Sequence, residues 1–313
     1  MSGSHSHAGT ISSKQLWVAT TITFAFCVGE AAVGYYSNSL ALMADAGHNF
    51  ADSLALALSA FAIWMATKPA DNKRTFGYHR VGILAALVNA VGLVGMAGAI
   101  FWEAVQRLKA PESVQSGPMI WTALLAIVLN TGIAWWLSRA AKEDLNIRGA
   151  YLHMVGDAAA SFGVVIAGII IAFTGAYIAD PIVSILFAAL VLWSSWSILT
   201  ESIHVLLEAT PAGLDLAKVE QAIRGVTGVV GTHDLHVWTI SSGLIAGSCH
   251  IVVADQSISS SQHILQNVAH MLEHDFRIGH STIQVEAENC GGHEHTAHGE
   301  HAHSHGHGHG HAH

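Results

Sequence analysis

Two copies of one spacing, H-x-x-x-D, stand inside apolar stretches. His48 and Asp52 lie in LALMADAGHNFADSLALALSAFAIWMA, and His153 and Asp157 in AYLHMVGDAAASFGVVIAGIIIAF. Helical residues i and i+4 share a face with Cβ atoms ~5–6 Å apart, so each stretch offers an imidazole beside a carboxylate. Two such helices face to face would present two nitrogens and two oxygens, a tetrahedral set suited to Zn²⁺. One pair alone is equally well a structural hydrogen bond between helices. Two copies, both in membrane spans where ionisable groups are costly, favour a metal site. Asp45, on the same stretch of helix as His48, is a lesser candidate. It would either orient an imidazole from behind or attract cations at the mouth of the span.

Two imidazoles and two carboxylates select a borderline-soft ion, hence Zn²⁺ over Mg²⁺, Ca²⁺ or Mn²⁺, with Cd²⁺ and Co²⁺ as lesser substrates. Imidazole titrates at ~6.5 when unperturbed, so protons compete with the metal near neutral pH. A hydrolytic site would need a general base, as in H-E-x-x-H, and neither copy has one. Two Asp ligands fill the coordination sphere that a catalytic zinc keeps open. ATP-driven pumping lacks its phosphate loop. The chain therefore reads as a carrier and not an enzyme. The remaining rival is a membrane-bound metal sensor or buffer, and the intramembrane ligands argue against it.

These ligands need membrane helices to hold them. Only 11% of the 313 residues are charged, whereas a soluble domain is nearer ~25%, and mean hydropathy is +0.43. Apolar runs of at least ~18 residues predict six spans near 15–36, 40–67, 81–106, 118–138, 150–174 and 179–200. Residues 1–14 form a polar, His-containing tail, and the transmembrane domain covers 15–204. The polar start and the long first apolar run predict no cleavable signal peptide. Lys68, Lys73, Arg74 and Arg80 fall between spans 2 and 3, and Arg139, Lys142 and Arg148 between spans 4 and 5. The positive-inside rule then puts both termini in the cytoplasm. Gly92, Gly95 and Gly98 in span 3 and Gly156 in span 5 predict close helix approach.

Residues 205–290 change in composition. Leu214–Arg224 and Ser257–Phe276 read as amphipathic helices, and 229–240, 244–253 and 281–288 as strands. The order α-β-β-α-β gives a small cytoplasmic α+β domain with helices on one sheet face. His233 and His250 fall on adjacent strands and Glu286 on the last. His236 is expected to pack with Trp238 in the H-V-W strand, and His270, His274 and His280 to lie at the surface. Residues 291–313 are a disordered His-rich tail whose irregular repeat reads as metal-gathering. Three cysteines give no C-x-x-C pattern and no disulfide framework.

The motifs A-D-A-G-H-N-F-A-D, F-G-Y-H-R, L-H-M-V-G-D, A-D-P-I and H-D-L-H-V-W occur in this order. They resemble the cation diffusion facilitator family, and its bacterial zinc-efflux members in particular, from about residue 15 to 290. The resemblance implies a homodimer in the lipid bilayer, in a bacterial inner membrane, that exports divalent cations in exchange for protons. It implies no organic cofactor and no nucleic-acid partner. The tetrad His48, Asp52, His153 and Asp157 matches the family's transport site. His233, His250 and Glu286 match positions that bind metal near the dimer interface of a metallochaperone-like domain. His263, and Cys290 at the domain's end, are candidates to complete that site. Arg80 occupies the position of a cation that pairs with an acidic residue, here Glu208. Some relatives bind a further metal in the loop after span 2. Asp71 matches one of those ligands, but Tyr78 replaces the His, with His79 one residue on, so the resemblance implies no well-formed site there.

Overall fold

The computed structural model describes residues 13–138, 145–241 and 243–287. It divides between Leu206 and Leu207 into two units. The N-terminal tail, Cys290 and the His-rich tail lie outside the described residues.

The first unit is a helical bundle of α1 (Ser13–Ser37), α2 (Leu40–Ala66), α3 (Val81–Lys109), α4 (Ser116–Leu137), α5 (Leu145–Thr174) and α6 (Ala179–Leu206). Helices satisfy their own backbone polar groups, which is what an apolar surrounding demands. Among the described residues, five are long and apolar enough to cross a membrane: α2, α3, α4, α6 and residues Tyr151–Thr174 of α5. The expected first span corresponds to α1, which forms a helix but is not one of the five. Tight turns separate helices where the sequence predicts them. Asn38 adopts φ 57° between α1 and α2, and Gly175 adopts φ 67° after α5. Both are residue types that tolerate the left-handed region.

One end of this bundle is tied by buried polar contacts. Asp180, at the start of α6, is fully buried. It accepts from the Ser39 hydroxyl at 2.6 Å and from the backbone N–H groups of Leu40 and Ala41 at 2.8 and 3.2 Å. These are the groups that the first turn of a helix leaves unsatisfied. Ser39 is itself the N-cap of α2 and accepts from Leu42 N. Arg107, at the end of α3, donates to the Asn38 carbonyl and side-chain oxygens at 2.7 and 2.8 Å. Asn38 donates in turn to Glu112.

Close approach does not occur at the glycines the sequence singles out. A Cβ at Gly92, Gly95, Gly98 or Gly156 would meet nothing within 4 Å. The tight positions are Gly47, where α2 meets Met96 of α3, and Gly168, where α5 meets Ile120 of α4. A run of small residues gives no indication of which face looks at a neighbour, and that distinction decided the outcome.

The second unit comprises α7 (Leu216–Arg224), β1 (Val229–Ser241), β2 (Leu244–Val253), α8 (Ile258–Phe276) and β3 (His280–Glu286). The sheet order is β1-β2-β3, with β1 and β2 antiparallel and β2 and β3 parallel. The parallel pair needs a crossover, and α8 supplies it. Asp215 caps α7 and Ser257 caps α8. Arg277 at φ 59° ends α8, with Ile278 N returning to Leu272 O at 2.9 Å, a left-handed C-terminal cap. Val219 and Ile223 of α7 and Ile264, Val268 and Leu272 of α8 pack on Val237, Cys249, Ile251 and Val253 of the sheet. Burial pushes the Cys249 thiol up to about 11, so it packs in the core as a neutral thiol.

Candidate functional site: two His–carboxylate clusters

In the bundle, α2 and α5 bring both H-x-x-x-D pairs together. His153 Nε2 lies 3.1 Å from Asp52 Oδ2 and 3.6 Å from Asp157 Oδ2. His48 Nε2 lies 3.4 Å from Asp52 Oδ2 and 3.8 Å from Asp157 Oδ1. Each imidazole thus stands between two carboxylates in an alternating ring, with the two imidazole centroids 5.9 Å apart. Ligand atoms of His48, Asp52 and His153 all fall within 4.8 Å of one another. Asp52 Oδ2 is buried and lies within ion-pair distance of both imidazole Nε2 atoms. Its lone pairs and the two Nε2 atoms converge, an arrangement that suits a cation. Side-chain exposure rises from 7% at Asp157 and 18% at His48 to 30% at Asp52 and 40% at His153. Asp157 therefore forms the floor and His153 the open wall. Phe187 of α6 packs edge-on against His48, 5.8 Å between centroids.

Asp45 does neither job the sequence suggests. It is fully buried, so it is not at a mouth. Its partner is the Ser161 hydroxyl of α5 at 2.8 Å, not an imidazole. Glu30 of α1, also buried, accepts from Asn49 at 3.3 Å. Sequence reasoning missed Glu30 in α1. The available signal was a lone acidic residue in an otherwise apolar run.

In the loop between α2 and α3, Asp71 is a hydrogen-bond hub. Oδ1 accepts from the Lys73 and Arg74 backbone N–H groups at 2.7 and 2.8 Å, and Oδ2 from the Tyr78 hydroxyl at 2.8 Å. The Tyr78 hydroxyl, then the two N–H groups, hold the Asp71 carboxyl below its usual range. Tyr78 therefore engages Asp71 by hydrogen bonding. Arg80 precedes α3 in the first unit and Glu208 lies in the second.

The second unit holds the other cluster. His233 and His250 are cross-strand partners. Glu286 bridges them, with Oε2 3.1 Å from His233 Nε2 and Oε1 3.0 Å from His250 Nδ1. Their ligand atoms also lie within 4.8 Å of one another. Gln284 donates to Glu286 Oε1 at 2.8 Å and fixes it. Asp234 was not anticipated. Strand alternation puts it on the face opposite His233, but a register break and φ 52° turn it back, as a bulge does. It reaches His236 Nε2 at 3.0 Å and His250 Nε2 at 3.7 Å. His236 is exposed and pairs with Asp234. His263 is exposed on α8 and lies outside the three-ligand group. His270, His274 and His280 are exposed.

Two family descriptions match the chain: the cation efflux transmembrane domain over residues 16–207 and the cation efflux protein cytoplasmic domain over 211–288. A cadmium, cobalt and zinc/H(+)-K(+) antiporter of Bacillus subtilis is 41% identical over 91% of this chain and 92% of its own length. The metal cation efflux system protein CzcD of Cupriavidus metallidurans is 40% identical over 92% and 90%. The zinc transporter ZitB of Escherichia coli is 37% identical over 93% and 95%.

Proposed function

The chain belongs to the cation efflux family, and from that premise we propose that it exports Zn²⁺ from the cytoplasm in exchange for protons, with Cd²⁺ and Co²⁺ as lesser cargo. The observation that carries the reading is the alternating ring of His48, Asp52, His153 and Asp157 at 3.1–3.8 Å. The names of the relatives support the metals and the antiport.

In this proposal α1 is the sixth span, and both termini and the second unit face the cytoplasm of a bacterial inner membrane. With the ring open inward, zinc displaces protons from the imidazoles, since metal ligands must be deprotonated. With the ring open outward, protons compete for the same nitrogens and the ion leaves. The second unit joins two copies into a homodimer, and its His233, His250 and Glu286 cluster binds zinc so as to bias the arrangement of the two protomers. Arg80 and Glu208 enter only as a charge pair implied by the family.

The test is zinc flux in vesicles with an imposed pH gradient. Zinc should accumulate with the parent protein and fail to accumulate with His48→Ala or Asp157→Ala. Parent-rate accumulation by either variant refutes the ring as the transport site. Zinc binding without accumulation by the parent identifies a sensor instead.

A further inference from the structure

Beside the ring, the bundle buries two more carboxylates that are not among its ligands. Glu30 of α1 is 1% exposed and Asp45 of α2 0%. Each has one oxygen engaged and one sealed away. Glu30 accepts from Asn49 through Oε2, while Oε1 has no partner. Asp45 accepts from Ser161 through Oδ2, while Oδ1 has no partner.

The groups around them supply no evident countercharge. Glu30 feels Asp45 and Asp157, Asp45 feels Asp157, and the Cys27 thiol of α1 lies near both. Asn49 and Ser161 are neutral donors. The α4 helix carries no titratable side chain, and those of α3 are Glu103, Arg107 and Lys109, in its last two turns. On α6, Asp180 is committed to the N-terminus of α2, and Glu201 and His204 lie near the opposite end of that helix. On α5, Arg148 lies in the first turns, and Asp157 and His153 belong to the ring, as do His48 and Asp52 of α2. A buried ionised carboxylate without a partner is far costlier than a neutral one, and a like-charged neighbour raises that cost. A protonated carboxyl removes the charge and turns one of the sealed oxygens into a donor.

These carboxyls are also wired to the ring. Asn49, which holds Glu30, directly follows His48. Ser161, which holds Asp45, stands one helical turn beyond Asp157. A dication arriving in the ring brings positive charge towards both carboxyls and favours their ionised forms.

We propose that Glu30 and Asp45 form a proton-carrying site distinct from the metal ligands. A carboxyl O–H of the pair breaks as the cation enters the ring, and the proton passes to water. The O–H bond reforms as the cation leaves, with no change of oxidation state. The inference rests on the antiport reading above and adds where a transported proton resides.

The experiment counts protons released per zinc bound by the full-length protein, in weak buffer with a pH indicator, alongside ΔpH-driven zinc accumulation in vesicles. Glu30→Gln keeps the shape and removes the titration. It should bind zinc at the ring while releasing about one proton fewer per protomer, and its ΔpH-driven accumulation should fall at least about tenfold. Asp45→Asn should behave alike, and Glu30→Asp should restore part of the release. The parent alone offers a second reading, because zinc should abolish a protonated-carboxyl C=O band in its infrared difference spectrum. An unchanged proton count in both variants, or a parent with no such band, overturns the assignment. A parent that neither releases protons nor responds to ΔpH overturns the antiport reading as well, so the two failures are distinguishable.

Discussion

Asp180→Ala should destabilise the bundle more than removal of either H-x-x-x-D carboxylate. The Asp180 carboxylate takes three donors at the first turn of α2: Ser39 Oγ at 2.6 Å, Leu40 N at 2.8 Å and Ala41 N at 3.2 Å. The Ser39 hydroxyl can rotate, but the two backbone N–H groups cannot find another acceptor in a site with no exposure. Each orphaned buried donor costs ~1–3 kcal/mol. Two such donors bring the expected loss to about 3–5 kcal/mol. Asp180→Asn retains one acceptor oxygen and should lose about half of that. For a unit of this size ~1 kcal/mol moves Tm by ~2–4 °C, so the Ala variant should melt about 10 °C lower. Thermal unfolding in detergent, followed by tryptophan fluorescence, measures the shift. Because α2 carries His48 and Asp52 in its third and fourth turns, zinc affinity should fall in the same order. An Ala variant that melts within about 1 °C of the parent, or an Asn variant less stable than Ala, would refute the capping argument.

Other substitutions test the two clusters and the loop. His48→Asp makes the ring one nitrogen and three oxygens, a harder set. Metal-competition flux should show the Zn²⁺ to Mn²⁺ preference falling about tenfold, or ~1.4 kcal/mol. Glu286→Gln removes the charge that bridges His233 and His250. Equilibrium dialysis should show zinc affinity at that cluster dropping about 10–100-fold, with transport through the bundle continuing. Tyr78→Phe deletes the largest influence holding the Asp71 carboxyl low. A carboxylate held low in the folded protein adds stability above its unfolded value of ~3.9, and that stability is lost as pH falls through the folded value. Proteolysis of the 67–80 loop should therefore rise in the parent only under acidic conditions, and in Tyr78→Phe at a higher pH than in the parent.

The i,i+4 pairs were legible because helix periodicity fixes side-chain neighbours without knowledge of tertiary packing. The segment order of the second unit was equally open to reading, since strand alternation and turn residues are local signals. His233 and His250 could be placed opposite one another for the same reason. The misses share a cause. Asp234 depends on a bulge, and no alternation rule anticipates a residue in the left-handed region. Asp45 looked like a companion of His48, but its Ser161 partner lies on another helix, 116 positions away. The Asp180 cap stood in plain sight in A-D-P-I, yet its role depends on a helix N-terminus 139–141 positions earlier. The glycines failed because composition carries no face.

The uneven exposure of the four ring ligands bears on time as well as affinity. A structural zinc site encloses its ion on every side, and such an ion stays. Here His153 and Asp52, one wall of the ring, are its more exposed members, while Asp157 at its floor is nearly buried. A hydrated dication meeting that wall can exchange water for protein ligands one at a time, and leave by the same steps in reverse. No single step strips the whole hydration shell. Residence time, which mostly governs how binding sites differ, is then set by one accessible imidazole rather than by the closure of the whole set. Under the transport role proposed above, a site that must let go on every cycle gains more from this than from tighter binding.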